Sequence, residues 1–162
     1  MSVIEKKLEE LGITLPAPLG PSPLAEHVVA RQSGELLFIG GVGPIKNNMP
    51  SITGRLVRDM KHEDCYAAAR QSALNLLSVI KNELGDLDRV AEFVRLVGYV
   101  ASDDDFYDQH MILNGASHLL NEVFGEKGSH VCTAVGVNVL PFNVPVILDA
   151  VVRVTPQKEV TA

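Results

Sequence analysis

Asn114-Gly-Ala-Ser-His-Leu-Leu-Asn-Glu-Val-Phe-Gly-Glu-Lys-Gly-Ser-His-Val-Cys-Thr-Ala-Val-Gly-Val-Asn-Val-Leu-Pro-Phe-Asn-Val-Pro-Val-Ile-Leu-Asp149 reads as the end of a helix, a glycine stop and two strands around a Leu140-Pro141-Phe142-Asn143 turn. From Cys132 to Val139 the residues alternate. Thr133, Val135, Val137 and Val139 share one side, and Cys132, Ala134, Gly136 and Asn138 share the other, which is the two-residue period of a strand. Beyond the turn, Val146, Leu148, Ala150, Val152 and Val154 lie on one side and Ile147, Asp149, Val151 and Arg153 on the opposite side. One side of each strand belongs to the core. A side made of small and polar residues, Cys132 to Asn138, predicts a surface that meets a ligand or a partner rather than a helix layer. The two strands read as a hairpin.

Upstream of this stretch, Ser102-Asp103-Asp104-Asp105 reads as the cap of a helix running to Phe124. Arg89 to Val100 reads as a strand. A longer helix is predicted from about Glu63 to Leu84, with Tyr66, Ala69, Ala73, Leu77, Ile80 and Leu84 on one stripe and Gly85 ending it. Strands at about His27 to Gln32 and Glu35 to Val42 are joined at Ser33-Gly34, a hairpin signal. Between them and the long helix, Gly43 to Asp59 reads as a loop. The prolines of Pro16 to Pro23 make an extended lead-in. The charged, amphipathic head, with Val3 or Ile4, Leu8 and Leu11 on one face and a Gly12 stop, reads as a short helix and not a signal peptide. After this head helix the order is ββαβαββ, an α+β layer with two helices on one face of a sheet. With no repeat, linker or low-complexity segment, residues 1–162 read as one domain.

Composition bounds the function. A chain of 162 residues buries roughly 70% of its unfolded surface, enough for one core without metal or disulfide staples. Its 46% hydrophobic content and mean hydropathy of +0.16 fit an oligomer interface. A net charge of −6 argues against a nucleic-acid partner, because counterion release needs a basic stripe. Arg55, Arg58, Lys61 and His62 are interspersed with Asp59, Glu63 and Asp64, and read as a solvated loop. Cys65 and Cys132 form neither a disulfide framework nor a zinc signature, which suits a reducing cytoplasm. The histidines at 27, 62, 110, 118 and 130 form no HxxxH or HExxH pair, so no metal is expected. Gly41-Val42-Gly43-Pro44 lacks the spacing of a dinucleotide loop, and no cofactor is expected. The uncharged run from Ser129 to Leu148 contains Pro141 and Pro145 and alternates in steps of two; it is not a membrane span.

The closing stretch resembles the RidA/YjgF family of small trimeric proteins, whose best-known members hydrolyse reactive enamines and imines to ketoacids. It is most similar to the longer-chain branch, labelled endoribonuclease L-PSP-type, with the pattern N-G-A-S-x-L-L-x-E-V-F-G-E-x-G-x-H, then an Arg-Ser pair, A-V-G-V and L-P-x-x-V-P-V. The resemblance extends to Leu19-Gly20-Pro21, Phe38 to Pro44, Ala68 to Asn75 and Val94 to Val100, and covers about residues 16–154. It implies a chorismate-mutase-like mixed sheet, a homotrimer, and a small-molecule cleft between subunits.

Two positions depart from the family pattern. Cys132 stands where family deaminases carry the Arg that clamps a substrate carboxylate, and Ile147 stands where many carry a Glu that positions water. A cysteine has neither the charge nor the planar fork of Arg. The resemblance places Gly40, Gly41, Asn114, Cys132, Thr133 and Ile147 around the ligand. Cys132 and Asp149 are candidates for the chemistry. Cys132 is either a small packed residue or a thiol nucleophile served by His130 or His118, and Asp149 is either an acid-base group or a partner for Arg153 or a neighbour's cation. Three functions follow: a divergent imine or enamine deaminase or related hydrolase, a non-catalytic small-molecule-binding or regulatory trimer, and an endoribonuclease or translation inhibitor, against which the acidic balance speaks.

Overall fold

The computed structural model describes residues 2–18 and 26–156; Leu19-Gly20-Pro21 and the end of the proline-rich lead-in lie outside them. The head forms helix α1 (Val3–Glu10), capped by Ser2, whose hydroxyl accepts from the Glu5 N–H at 3.1 Å. Its first free N–H groups, on Val3 and Ile4, donate to the Asp88 carboxylate at 2.8 and 2.9 Å, tying α1 to the body. Strands β1 (Ala30–Ser33) and β2 (Leu36–Val42) make the expected hairpin. A second small hairpin, β3 (Ile45–Lys46) and β4 (Met49–Pro50), occupies part of the segment read as loop. Asn47 and Asn48, both at positive φ (51° and 60°), turn it, a conformation that Asn tolerates. The buried Asn75 amide donates to the Gly43 and Ile45 carbonyls at 2.8 and 2.9 Å and sets the path of the chain leaving β2.

The remaining elements are helix α2 (His62–Leu84), strand β5 (Val90–Ala101), helix α3 (Gln109–Phe124), strand β6 (Val131–Val137) and strand β7 (Val146–Val154). The main sheet runs β1-β2-β7-β5-β6, with β5 and β6 parallel and the other neighbours antiparallel. The α+β fold and the element order agree with the sequence reading. Helix α2 lies over β7 and β2, α3 lies over β6 and β5, and the two helices pack together. Gly115 allows this close approach, since a β-carbon there would stand 2.2 Å from the Tyr66 carbonyl oxygen of α2.

Three expectations change. The proline turn does not join paired strands: β5 lies between β6 and β7. Alternation reports the faces of a strand and is silent about its partner, and α3 is the crossover that returns β6 parallel to β5. The turn instead carries the chain past the end of β5, where the Asn143 carbonyl accepts from Gly54 and the Pro145 carbonyl from Ala101, at 2.7 and 2.9 Å. Nor does Ser102-Asp103-Asp104-Asp105 cap α3, which starts at Gln109. Asp103 pairs with Arg55 at 3.5 Å and Arg58 at 3.4 Å, while the Arg55 guanidinium also donates to the Ser102 carbonyl. The Arg55 side chain is only 15% exposed, so the segment read as a solvated basic loop is pinned to the body by a charge that burial obliges to be paired.

Candidate functional site

Strand register assigns each candidate to a side of the sheet. On β7, Val146, Leu148, Ala150, Val152 and Val154 are buried beneath the helices, and Ile147, Asp149, Val151 and Arg153 face the opposite, open side, as the alternation predicts. On β6 the order is reversed. Its register pairs Cys132 with Leu96, Ala134 with Gly98 and Gly136 with Val100, all three β5 partners being buried. Cys132, Ala134 and Gly136 therefore face the helix layer. A β-carbon on Gly136 would meet the Gln109 side-chain amide of α3 at 2.6 Å, so a larger residue at that position would have to displace it. Thr133 and Val135 lie on the open side with Val97 and Tyr99.

The open side centres on Asp149. Strand β2 carries a bulge between Ile39 and Val42, and Gly41 takes φ of +70° there, which an L side chain resists. The Gly41 N–H freed by the bulge donates to Asp149 Oδ1 at 2.8 Å, and the Tyr99 hydroxyl lies 3.5 Å from Oδ2. Gly40 lies beside this carboxylate, and a β-carbon there would stand 3.5 Å from Asp149 Oδ1, an ordinary contact. Asp149 thus has an intramolecular task, holding the bulge. The expected Arg153 partner is engaged elsewhere: its Nε donates to Glu92 at 2.9 Å, a bond that holds the Glu92 carboxyl below its ordinary range.

Beside Asp149 lies a hollow of about 400 Å³ lined by Arg31, Phe38, Gly40, Arg95, Val97 and Val151, among others. Arg95 Nη2 donates to Thr133 Oγ1 at 3.3 Å and links β5 to β6 across this face. Arg95, Tyr99, Arg31 and Phe38 escaped the sequence reading. The sequence signal is the slip in the two-residue period at Phe93-Val94-Arg95-Leu96, and in the structure Val94 and Arg95 are both exposed between buried Phe93 and Leu96. That spacing marks the bulge that β5 makes opposite β7 between Phe93 and Arg95.

The structure brings Gly40, Gly41 and Asp149 together, sets Ile147 on the same face, and connects Thr133 to it through Arg95. Within the single chain, Cys132 and Asn114 lie away from it. Cys132 is on the far side of its strand, and Asn114 sits in α3 with its amide 4.0 Å from Met111 Sδ. Neither expected histidine serves Cys132. His130 bonds the Gly128 carbonyl at 2.6 Å and the Ser117 hydroxyl at 2.9 Å, and His118 bonds the Tyr66 hydroxyl at 2.8 Å. Partial desolvation raises the thiol of the exposed Cys132 above its ordinary pKa, the opposite of what a nucleophile needs. No cluster of three or more metal-ligating side chains occurs among the described residues.

The family described as "YjgF/chorismate mutase-like, putative endoribonuclease" matches residues 21–152. Protein TCP17 of Trypanosoma cruzi is 39% identical over 151 residues, 93% of each chain. Among solved structures, protein Atu1372 of Agrobacterium tumefaciens is 40% identical with a TM-score of 0.85, covering 94% of both chains. A protein of Shewanella oneidensis MR-1 described as "a putative endoribonuclease" is 27% identical with a TM-score of 0.88, covering 94% of this chain and all of its own.

Proposed function

This chain belongs to the YjgF/RidA family, and on that premise we propose that it is a homotrimer with a small-molecule cleft between subunits, acting as a divergent imine or enamine deaminase or related C–N hydrolase. The observation that carries this reading is the open face of the sheet. Phe38, Val94 and Val131 are exposed along it, next to a hollow with one wall missing. Apolar surface of this kind calls for cover, and a neighbouring copy both covers it and supplies the wall.

The chemistry asked of such a cleft is modest. An imine carbon is already electrophilic, so hydrolysis needs the substrate held and a water oriented over that carbon. Ile147 can wall the cleft, and the Gly40 backbone can approach a ligand closely. Cys132 and Ile147 supply neither charge that family deaminases use, so turnover of 2-iminopropionate is slow. Carried on the edge strand β6 of the neighbouring copy that closes the cleft, Cys132→Arg raises it by about one to two powers of ten, the value of a charge-assisted carboxylate contact of about 1.5–3 kcal/mol. Stopped-flow assays with the imine generated in situ, beside light scattering, test both halves. A monomer at micromolar concentration removes the trimer and its cleft, and no hydrolysis by either protein removes the deaminase.

A second reading, a non-catalytic ligand-binding or regulatory trimer, is favoured by the protonated, histidine-free Cys132. A ligand bound without turnover would establish it. An endoribonuclease is the weakest reading, because a net charge of −6 repels RNA. No helix of the described residues is long and apolar enough to cross a membrane, and we place the protein in the cytoplasm.

A further inference from the structure

Arg31 and Arg95 line the same hollow, and neither forms an ion pair with a carboxylate among the described residues. The one acid there, Asp149, has an oxygen committed to the Gly41 N–H and faces the Tyr99 hydroxyl with the other. Two cations against one anion leave one positive charge in excess. Arg95 rises from the middle of the sheet with Val97 and Val151 beside it, and Thr133 steadies one nitrogen while the rest of the fork is free. Once a neighbouring copy covers this face, an unpaired guanidinium is costly, so the site calls for an anion. The apolar walls call for a ligand body without charge.

We propose that Arg95 is the anion-binding residue of this protein, pairing through its guanidinium with the carboxylate of a small monoanion whose apolar body lies against Phe38, Val97 and Val151, with Arg31 across the hollow. A planar carboxylate matches the guanidinium fork, and one negative charge matches the excess. The anion-binding charge that position 132 lacks is thereby supplied from β5, on the other side of the sheet from Cys132. This rests on the reading that the open face holds a small molecule between subunits.

The test uses calorimetric titration of the full chain with 3-methylbutanoate and its uncharged isostere 3-methylbutanamide, with light scattering of each variant. The wild type is expected to bind the acid at least tenfold tighter than the amide. Arg95→Gln erases that difference, Arg95→Lys retains part of it, and Arg70→Gln, a change of the same charge on the helix surface, leaves it intact. Acid and amide binding alike to the wild type, or acid binding unchanged in Arg95→Gln, overturns the proposal. If Arg95→Gln fails to fold, the acid-to-amide ratio of the wild type and of Arg95→Lys still decides. A trimer whose imine turnover ignores Arg95→Gln sinks the proposal and leaves the deaminase reading standing. Acid binding through Arg95 without turnover sustains the proposal and removes the deaminase.

Discussion

The helix side of the sheet and its open side are built from the same strands by different rules. Beneath the helices, β7 offers Val146, Leu148, Ala150 and Val152, all buried, and β5 offers Leu96, Gly98 and Val100. Packing there is tight enough that a β-carbon on Gly98 would fall 2.2 Å from Leu113. On the open side the same strands carry Asp149, Arg95 and Tyr99 among valines, with both β2 and β5 bulged. The first side spends its residues on volume and shape, the second on charge and irregular backbone. Stability therefore resides mainly on one side and chemistry on the other, and substitutions on the two sides should differ in size and kind.

The largest expected effect is on the helix side. Leu148→Ala, at a fully buried site, should cost about 3–4 kcal/mol in urea unfolding through lost transfer energy and a cavity. Val151→Ala, three residues along β7 on the opposite side, should cost less than about 1 kcal/mol in the dissociated chain. Equal losses would break the contrast.

Glycines sharpen it next. Gly115→Ala forces α2 and α3 apart and should cost about 2–3 kcal/mol. Gly40→Ala places its methyl 3.5 Å from Asp149, an ordinary contact, and should stay within about 0.5 kcal/mol. A large loss at Gly40 would show the open side to be as closely packed as the other.

Asp149→Ala leaves the Gly41 N–H without its acceptor and should cost about 1–2 kcal/mol, with faster hydrogen exchange confined to the β2 bulge. Exchange that rises throughout the sheet would instead make Asp149 a support of the whole fold.

The smallest effect concerns the thiols. Burial pushes Cys65 up to about 12, and partial desolvation also raises the thiol of the exposed Cys132. Both are therefore protonated at neutral pH, and reactivity should grow only as alkaline pH forms thiolate. Iodoacetamide should modify the exposed Cys132 more slowly than a free thiol at pH 8, and leave buried Cys65 untouched in the native protein. Cys132 reacting faster than a free thiol would reveal an activating base.

Much of the helix side was legible in the chain. The alternation of β7 and, apart from half-buried Tyr66, the stripe on α2 identify buried residues correctly, because an apolar residue at the right period has few other reasons to be there. The site was legible only in part. Gly40, Gly41 and Asp149 do meet, yet Arg95 was hidden by a bulge that breaks the two-residue period, and Cys132 was placed on the wrong side of its strand. On an edge strand such as β6, half-exposed on both sides, the hydrophobic pattern does not say which side the helix will take.

By itself, then, the sequence determined the order ββαβαββ, the α+β class, the family, and the two sides of β7, all of which follow from local period and motif. Only the tertiary structure decided that β5 separates β6 from β7, that Asp103 pairs with Arg55 and Arg58, and that Asp149 braces Gly41. The reason is physical: a residue's period is set by its own backbone geometry, whereas its partner is chosen by elements far away in the chain that compete for the same edge, the same charge and the same free N–H group.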